Sequence, residues 1–335
     1  MSEIIPEVIC EFQEALPEGK VQCHICPHEC TIAPGHTGLC LCRKNFDGTL
    51  RPLNYGRVTS TAMDPIEKKP LYHFFPGSTI YSIGSWGCNF KCDFCQNWNI
   101  SQQAAATAYL APEDAVRAAL EQKSVGIAYT YNEPTIWFEY VRDTAKLARA
   151  AGLKNVLVTN GYVNEGPLDK LLDVIDAMNI DIKSFTEEFY QRRSRARLSP
   201  VLETVVRAAK RCHVETTTLL IPGSNDFREE IILLRDWIYK HLGADSPTHV
   251  SAYLPRYKSR EPATPPDEVL AACKILEKKL HFVYAGNIVS GDLSNTRCYN
   301  CGATAVRRAG YHVKAEELSS GACAKCGQEL NMVVE

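Results

Sequence analysis

The stretch Tyr81-Ser-Ile-Gly-Ser-Trp-Gly-Cys88-Asn-Phe-Lys-Cys92-Asp-Phe-Cys95-Gln-Asn-Trp98 runs from an apolar, β-type segment directly into three cysteines spaced C-x3-C-x2-C, with an aromatic residue, Phe94, just before the last. Three thiolates can ligate three irons of a [4Fe-4S] cube and leave the fourth iron without a protein ligand, whereas an electron-transfer cluster ordinarily takes four. An open iron is a place where a substrate or cofactor can bind. The competing reading is a zinc site completed by a distant residue. Zinc knuckles favour C-x2-C pairs, however, and x3-then-x2 spacing directly after a strand is unusual for them.

Outward from this loop, between about residues 76 and 289, apolar β-type runs alternate with segments of helical period. That alternation predicts repeated βα units and a parallel sheet. The predicted strands cover 79–84, 126–130, 155–159, 177–182, 214–221 and 248–253, and a short run at 281–285 closes the far edge. Helix starts are marked by Pro112-Glu-Asp ahead of 115–120, and a helix by apolar residues at three- and four-residue spacing in 231–242. Six βα units make an α/β fold, an open partial (β/α)6 TIM barrel. Ligands of such folds gather at the carboxyl ends of the strands, which is where the three cysteines fall.

The chain has 335 residues, enough for one large core with small attachments, and its 45% hydrophobic and 23% charged residues are ordinary for a globular protein. A formal net charge of -2 gives no global case for DNA or an anionic membrane. The local basic run Arg192, Arg193, Arg195 and Arg197 reads as a solvated face. The N-terminus is acidic, with too short an apolar run for a signal peptide, and nowhere do about 18 apolar residues run together. A cytosolic location is expected.

In a reducing cytosol, fifteen cysteines imply metal rather than disulfides. Apart from the central three they form two flanking groups, and Cys10, Cys212 and Cys273 stand alone as buried small hydrophobes. Cys298-x2-Cys301 and Cys323-x2-Cys326 match the paired knuckles of a zinc ribbon, although four thiolates suit iron as well. Cys23, Cys26, Cys30, Cys40 and Cys42, with His24 and His28 nearby, leave the ligand set open between a zinc ion and an auxiliary Fe-S cluster. The expected organisation is a Cys-rich metal-binding module at 1–55, the partial barrel at 56–293 and a zinc ribbon at 294–335.

The C-x3-C-x-aromatic-C loop resembles that of the radical S-adenosylmethionine (SAM) superfamily. Within it, the wording from Trp86 to Ser101 and the upstream Asp64-Pro-Ile-Glu-Lys-Lys-Pro-Leu-Tyr-His-Phe-Phe-Pro-Gly77 resemble the radical SAM proteins of the AmmeMemoRadiSam group, and the chain is similar to activating enzymes of glycyl radical enzymes such as pyruvate formate-lyase. The resemblance implies that Cys88, Cys92 and Cys95 carry a [4Fe-4S] cluster whose open iron is chelated by SAM. It also implies reductive cleavage of SAM to a 5'-deoxyadenosyl radical that abstracts hydrogen from a substrate, with the cofactor performing the hard chemistry.

The resemblance extends to single positions. Phe94 and Tyr131-Asn132-Glu133-Pro134 fall where the family contacts SAM, although the two glycines that ordinarily precede the Glu-Pro are absent. Glu133 is alternatively a helix N-cap partner. Asn160, in Thr159-Asn160-Gly161, offers a polar group for a ribose or carboxylate, or simply makes a tight turn. Asp181 and Lys183, on one strand face by alternation, resemble the activating enzymes' Asp-x-Lys pair, or form an ion pair that serves stability alone. Ile221 lies in a segment that resembles the Ile-Pro-Gly stretch beside adenine, and Leu254-Pro-Arg-Tyr257 lacks the histidine often found there. The implied partners are a ferredoxin or flavodoxin electron donor and other AmmeMemoRadiSam-group proteins. The expected substrate is a macromolecule, with protein favoured; the alternative is RNA or a small metabolite with the zinc ribbon in substrate recognition, and a minor alternative is a non-catalytic metal-binding scaffold.

Overall fold

The computed structural model describes residues 7–289 and 291–334. Its centre is an eight-stranded sheet of β1 (Ser60–Pro65), β2 (Thr79–Gly84), β3 (Gly126–Tyr129), β4 (Lys154–Thr159), β5 (Ala177–Asp181), β6 (His213–Leu220), β7 (Thr248–Ala252) and β8 (Val283–Gly286). The strands lie side by side in chain order. From β2 to β8 all neighbours are parallel, and β1 adds antiparallel to β2 at the edge. The order is linear, so the sheet is open. The βα units follow the expected rhythm, with α1 (Pro112–Glu121), α2 (Phe138–Ala150), α3 (Glu165–Leu172), α4 (Leu198–Ala208), α5 (Arg228–Leu242) and α6 (Pro266–Leu276) each returning the chain to the next parallel strand. The edge strand β1, from the stretch just before the first predicted strand, is an addition to the sequence reading.

The strands are buried on both faces, as parallel strands flanked by crossovers must be. Alternation sorts them. Tyr81, Ile83, Ile127, Tyr129, Leu157, Met178 and Ile180 join the main core with Trp137, Phe138, Val141 and Ala145 around α2. On the opposite face the residues are smaller: Ile80, Ala128, Val156 and Ala177 form a second cluster with Ile66, Leu71 and Phe74. The segment after β1 therefore fills the lower part of that face.

Two side chains of the sheet hold this segment. Asn179 Nδ2 donates to Pro70 O at 2.8 Å. Glu215 accepts from the backbone N–H groups of Tyr72 at 3.0 Å and His73 at 2.7 Å, and lies 2.7 Å from His249 Nε2 and 3.1 Å from His213 Nε2. Burial pushes the Glu215 pKa up, but the contacts with His213 and His249 more than reverse this and hold it well below the usual carboxylate range. His73 Nε2 meets Tyr284 OH at 2.6 Å, and burial lowers its pKa to about 3, so it sits neutral.

The flanking regions are small antiparallel pieces. At the N-terminal side a three-stranded sheet (Gln13–Ala15, Val21–Cys23, Thr31–Ile32) adjoins a hairpin (Arg43–Phe46, Thr49–Pro52). It is tied to α2 by a buried ion pair in which Arg43 Nη2 and Nη1 donate to the two oxygens of Glu139 at 2.8 and 3.0 Å. At the other end Thr296–Arg297, Thr304–Ala309 and His312–Lys314 form a sheet beside a two-stranded piece, Leu318–Ser319 with Ala322–Cys323. Phe75 N donates to Val333 O at 2.7 Å, which docks this region on the segment that Glu215 anchors. Among the described residues no helix is long and apolar enough to cross a membrane.

Replacing Glu215 by Ala strands two backbone donors and two histidines. The expected loss is about 3–5 kcal/mol at neutral pH, the scale of breaking a buried charged network. Because folding depresses this pKa, the stabilisation is present above about pH 4.3 and is lost below it. Urea denaturation of wild type and E215A at neutral and acid pH checks both, with the gap narrowing in acid.

Candidate metal and cofactor site

Strand β2 ends at Gly84, where an added Cβ would lie 2.7 Å from both Thr130 O and the Tyr131 ring; only glycine lets the end of β3 close this tightly. The chain then leaves the sheet as an irregular loop carrying the three cysteines. Its buried backbone groups need partners away from water, and neighbouring strand ends supply them. After β3, Asn132 Oδ1 accepts from Ser85 N at 2.9 Å while its Nδ2 donates to Gly87 O at 3.1 Å. After β4, Asn160 Nδ2 donates to Asn89 Oδ1 at 2.9 Å, and Asn89 Nδ2 donates to Tyr162 O at 2.7 Å. After β5, Ser194 O accepts from Lys91 N at 2.9 Å. After β7, Lys258 N and Ser259 N both donate to Asp93 O, at 2.9 and 3.0 Å.

Each thiol in this loop has a neutral hydrogen-bonding group beside it, and the Cys92 thiol donates to its serine. Phe90 N lies 3.3 Å and Asn160 Nδ2 3.7 Å from Cys88 Sγ, Ser194 Oγ lies 3.3 Å from Cys92 Sγ, and Ser101 Oγ lies 3.1 Å from Cys95 Sγ. Burial pushes the Cys88 thiol up, with Glu133 adding to it. It also raises Cys92 to about 11, against the pull of the Lys183 ammonium. Burial thus favours the protonated form of Cys88 and Cys92, so metal binding there must displace protons. Three sulfurs with hydrogen-bonding groups and a nearby cation are a donor set that fits an iron-sulfur cluster, whose charge and sulfur hydrogen bonds need such neighbours.

The other expected residues divide into two sets. Asp181 and Lys183 form an ion pair with each other, with Nζ 2.8 Å from Oδ2. Burial works against the Lys183 charge, but Asp181 and Cys92 outweigh it and raise its pKa above the ordinary lysine range. Its one hydrogen bond from Nζ among the described residues is to Asp181, which leaves donor capacity for an anionic ligand group.

Glu133 is more heavily engaged. Its Oε1 accepts from Thr135 N (3.0 Å), Thr135 Oγ1 (2.8 Å) and Thr159 Oγ1 (2.7 Å), and its Oε2 accepts from Asn160 N (2.8 Å). The N-cap role is therefore real, and the same carboxylate joins the ends of β3 and β4, with one acceptor position remaining on Oε2. Asn132 and Asn160 bond chiefly to the cysteine loop itself.

Tyr131 OH donates to Asp64 Oδ2 at 2.6 Å, the oxygen that Lys69 Nζ also meets at 2.6 Å. This gives the Asp64-Pro stretch a place at the rim. Phe94 packs on Phe189 with ring centroids 5.6 Å apart and under the Arg193 guanidinium at 5.3 Å. Ile221 is fully buried, its N–H held by Asn225 Oδ1 at 2.7 Å. In place of the missing histidine, Tyr257 stacks on Trp98 at 5.3 Å.

Several contributors escaped the sequence reading. Ser101 and Ser194 carry no spacing signal. Arg193, in the run that reads as a solvated face, corrects that expectation: its side chain is only 13% exposed and pairs with Asp93 at 3.0 Å and Glu261 at 2.8 Å, clamping the cluster loop to the loop after β7. The i,i+2 alternation of charge in that run gave no warning, because Asp93 and Glu261 are distant in sequence.

The C-terminal four cysteines do converge. Their sulfurs all lie within 4.8 Å of one another, a group able to hold one metal ion. Cys23, Cys26, Cys30 and Cys40 line an internal space; Cys42 does not line it, being hydrogen-bonded to the Cys40 side chain while its thiol donates to Trp86 O at 3.1 Å.

An open α/β sheet with a three-cysteine loop at the carboxyl end of its first parallel strand is the arrangement of a radical SAM protein, and residues 83–236 match the radical SAM superfamily. Over 331 residues the chain is 40% identical to an uncharacterized protein of Methanocaldococcus jannaschii, covering 96% of this chain and 98% of that one. It is 26% identical over 148 residues to the pyruvate formate-lyase 1-activating enzyme of Escherichia coli, 42% of this chain and 60% of that one. A radical SAM methyltransferase from Sphaerobacter thermophilus shares the fold, with a TM-score of 0.51 at 15% identity over 64% of this chain and 69% of that one. The chain belongs to the radical SAM superfamily and is a radical SAM enzyme related to the activating enzymes.

Gly87, at φ +84°, is where the N-terminal region touches the cluster loop: a Cβ there would lie 2.3 Å from Cys42 Sγ and 2.5 Å from Cys40 O. Gly87→Ala should cost about 2–4 kcal/mol from the left-handed backbone and overpacking together, and should lower iron loading. Denaturant midpoints and iron content of the anaerobically purified variant measure this, and wild-type values for both would contradict the packing described.

Proposed function

We propose that this enzyme uses SAM to generate a radical that modifies a macromolecular substrate, with a protein target favoured, inside a sheet curled as a partial barrel. The observation that carries this reading is the placement of Lys183 and Asp181, at the end of β5, within electrostatic reach of Cys92. When bound, the [4Fe-4S] cluster and SAM supply one-electron reductive cleavage to methionine and a 5'-deoxyadenosyl radical. The chain's own groups do the rest. Cys88, Cys92 and Cys95 hold the cluster. Lys183, kept protonated by its neighbours, offers an ammonium to the SAM carboxylate, and the free acceptor position on Glu133 suits the SAM amino group. Asn132, Asn160 and Arg193 fix the loop so that the thiols need no rearrangement.

A macromolecular target is supported by the exposed apolar rim beside the loop, where Trp98 stacks on Tyr257 and Leu254 is half exposed. The kinship with an enzyme named for activating pyruvate formate-lyase points the same way. The C-terminal cysteines are assigned to zinc: sulfur pairs 3.5 and 3.7 Å apart approach the separation of about 3.8 Å that tetrahedral Zn–S bonds impose. All fifteen cysteines are free thiols, which suits a reducing compartment such as the cytosol. A ferredoxin or flavodoxin is the proposed electron donor, and companion AmmeMemoRadiSam proteins are candidate partners.

The test is the yield of 5'-deoxyadenosine from SAM after anaerobic reconstitution and reduction with dithionite. Wild type should form it and Cys92→Ala should not. Lys183→Gln should weaken SAM binding about 10-fold or more, the loss of a charge-assisted hydrogen bond of about 1.5–3 kcal/mol. An intact cluster with no SAM cleavage would sink the proposal. Stimulation of cleavage by cell extract should be lost on protease treatment and survive nuclease treatment; the reverse would shift the target to RNA.

A further inference from the structure

The N-terminal cysteines gather around a space that none of the SAM chemistry uses. Cys23, Cys26, Cys30 and Cys40 line a small, partly open cavity of about 10 Å³, together with Arg43 and Asn89. The backbone presents N–H groups to every one of these sulfurs: Ile25 to Cys23, His28 to Cys26, Leu39 to Cys30, and Cys42 and Arg43 to Cys40. Such N–H···S bonds stabilise thiolate over thiol and are the mark of ligating cysteines. Arg43, 1% exposed, leaves its Nε–H without a hydrogen-bond partner among the described residues. A buried guanidinium donor at an empty cavity lacks an anionic acceptor, which sulfide or thiolate sulfur would provide.

Size separates the two kinds of occupant. A lone tetrahedral zinc draws four thiolates to about 3.8 Å from one another. The C-terminal group has that spacing, and among the described residues no other set of three potential metal ligands closes up in this way. No three of the N-terminal sulfurs lie within 4.8 Å of one another although all four line one cavity, which is wider than a lone zinc draws its thiolates and suits a cube of four irons and four sulfides. Four ligands also leave no iron open, in contrast to the loop at Cys88.

We propose that Cys23, Cys26, Cys30 and Cys40 hold a second [4Fe-4S] cluster, and that Cys42 is not a ligand. The cluster lies next to the first. Asn89, which lines the cavity, directly follows Cys88, and its carbonyl lies 2.9 Å from His28 Nε2. The two clusters should therefore interact magnetically when both are reduced.

The full-length triple variant C88A/C92A/C95A, reconstituted anaerobically with iron and sulfide, isolates this site with its module intact. It should retain about four irons and four sulfides per chain with a [4Fe-4S] Mössbauer signature. Adding C26A and C40A should remove them, whereas adding Cys42→Ser should not, which separates ligand loss from unfolding. In wild type, dithionite should give an EPR spectrum broadened relative to the triple variant. An iron-free triple variant, with or without extra zinc, overturns the proposal while leaving the Cys88 site standing, as does iron that survives the added C26A and C40A changes.

Discussion

The loop that leaves β2 must stay irregular to spread three thiols, and irregular backbone buried away from water must borrow its hydrogen bonds. The rest of the site follows from that requirement. Asn132, Asn160, Ser194 and the backbone at 258–259 come from four different strand ends and converge on one loop. Glu133 in turn fixes Asn160 by its backbone N–H and ties β3 to β4. A parallel sheet is the architecture that brings so many strand ends to one side. Here the polar groups at those ends serve first to hold the cysteines and only second to face a ligand.

The inner face of the sheet shows the same division. Its lower half is filled by the segment after β1, pinned by Asn179 and Glu215 and covered at its far side by the C-terminal region. This plug leaves polar character to the carboxyl ends of the strands, where Asp181 and Lys183 sit. The C-terminal cysteines form a group able to hold one metal ion, in a region that packs on Phe282 and Tyr284 and touches the site only indirectly.

Much of this was legible in the sequence. Continuous apolar runs marked strands buried on both faces, and their boundaries at β2 and β5 fall within a residue of expectation. Asp181 and Lys183 drew notice through their Asp-x-Lys spacing, although the strand ends at Asp181 and the two side chains form an ion pair. The Cys298 group followed from its spacing. What stayed hidden depends on contacts between distant residues: Arg193 with Asp93 and Glu261, Ser194 beside Cys92, and Glu215 beneath Tyr72. Nor could spacing divide the five N-terminal cysteines, because only the fold turns Cys42 toward Trp86 and the other four toward a common cavity. β1 was missed because Ser60–Pro65 is polar and lies at an edge, where one face needs no apolar residues.

The central claim is that Cys88, Cys92 and Cys95 leave one iron open to SAM. EPR spectroscopy of the reduced protein with and without SAM tests it most directly. The signal that Cys92→Ala abolishes should shift when SAM is added, because a ligand has joined that cluster. A signal unchanged at saturating SAM would mean that the fourth iron is already occupied, and the account of the site would fail.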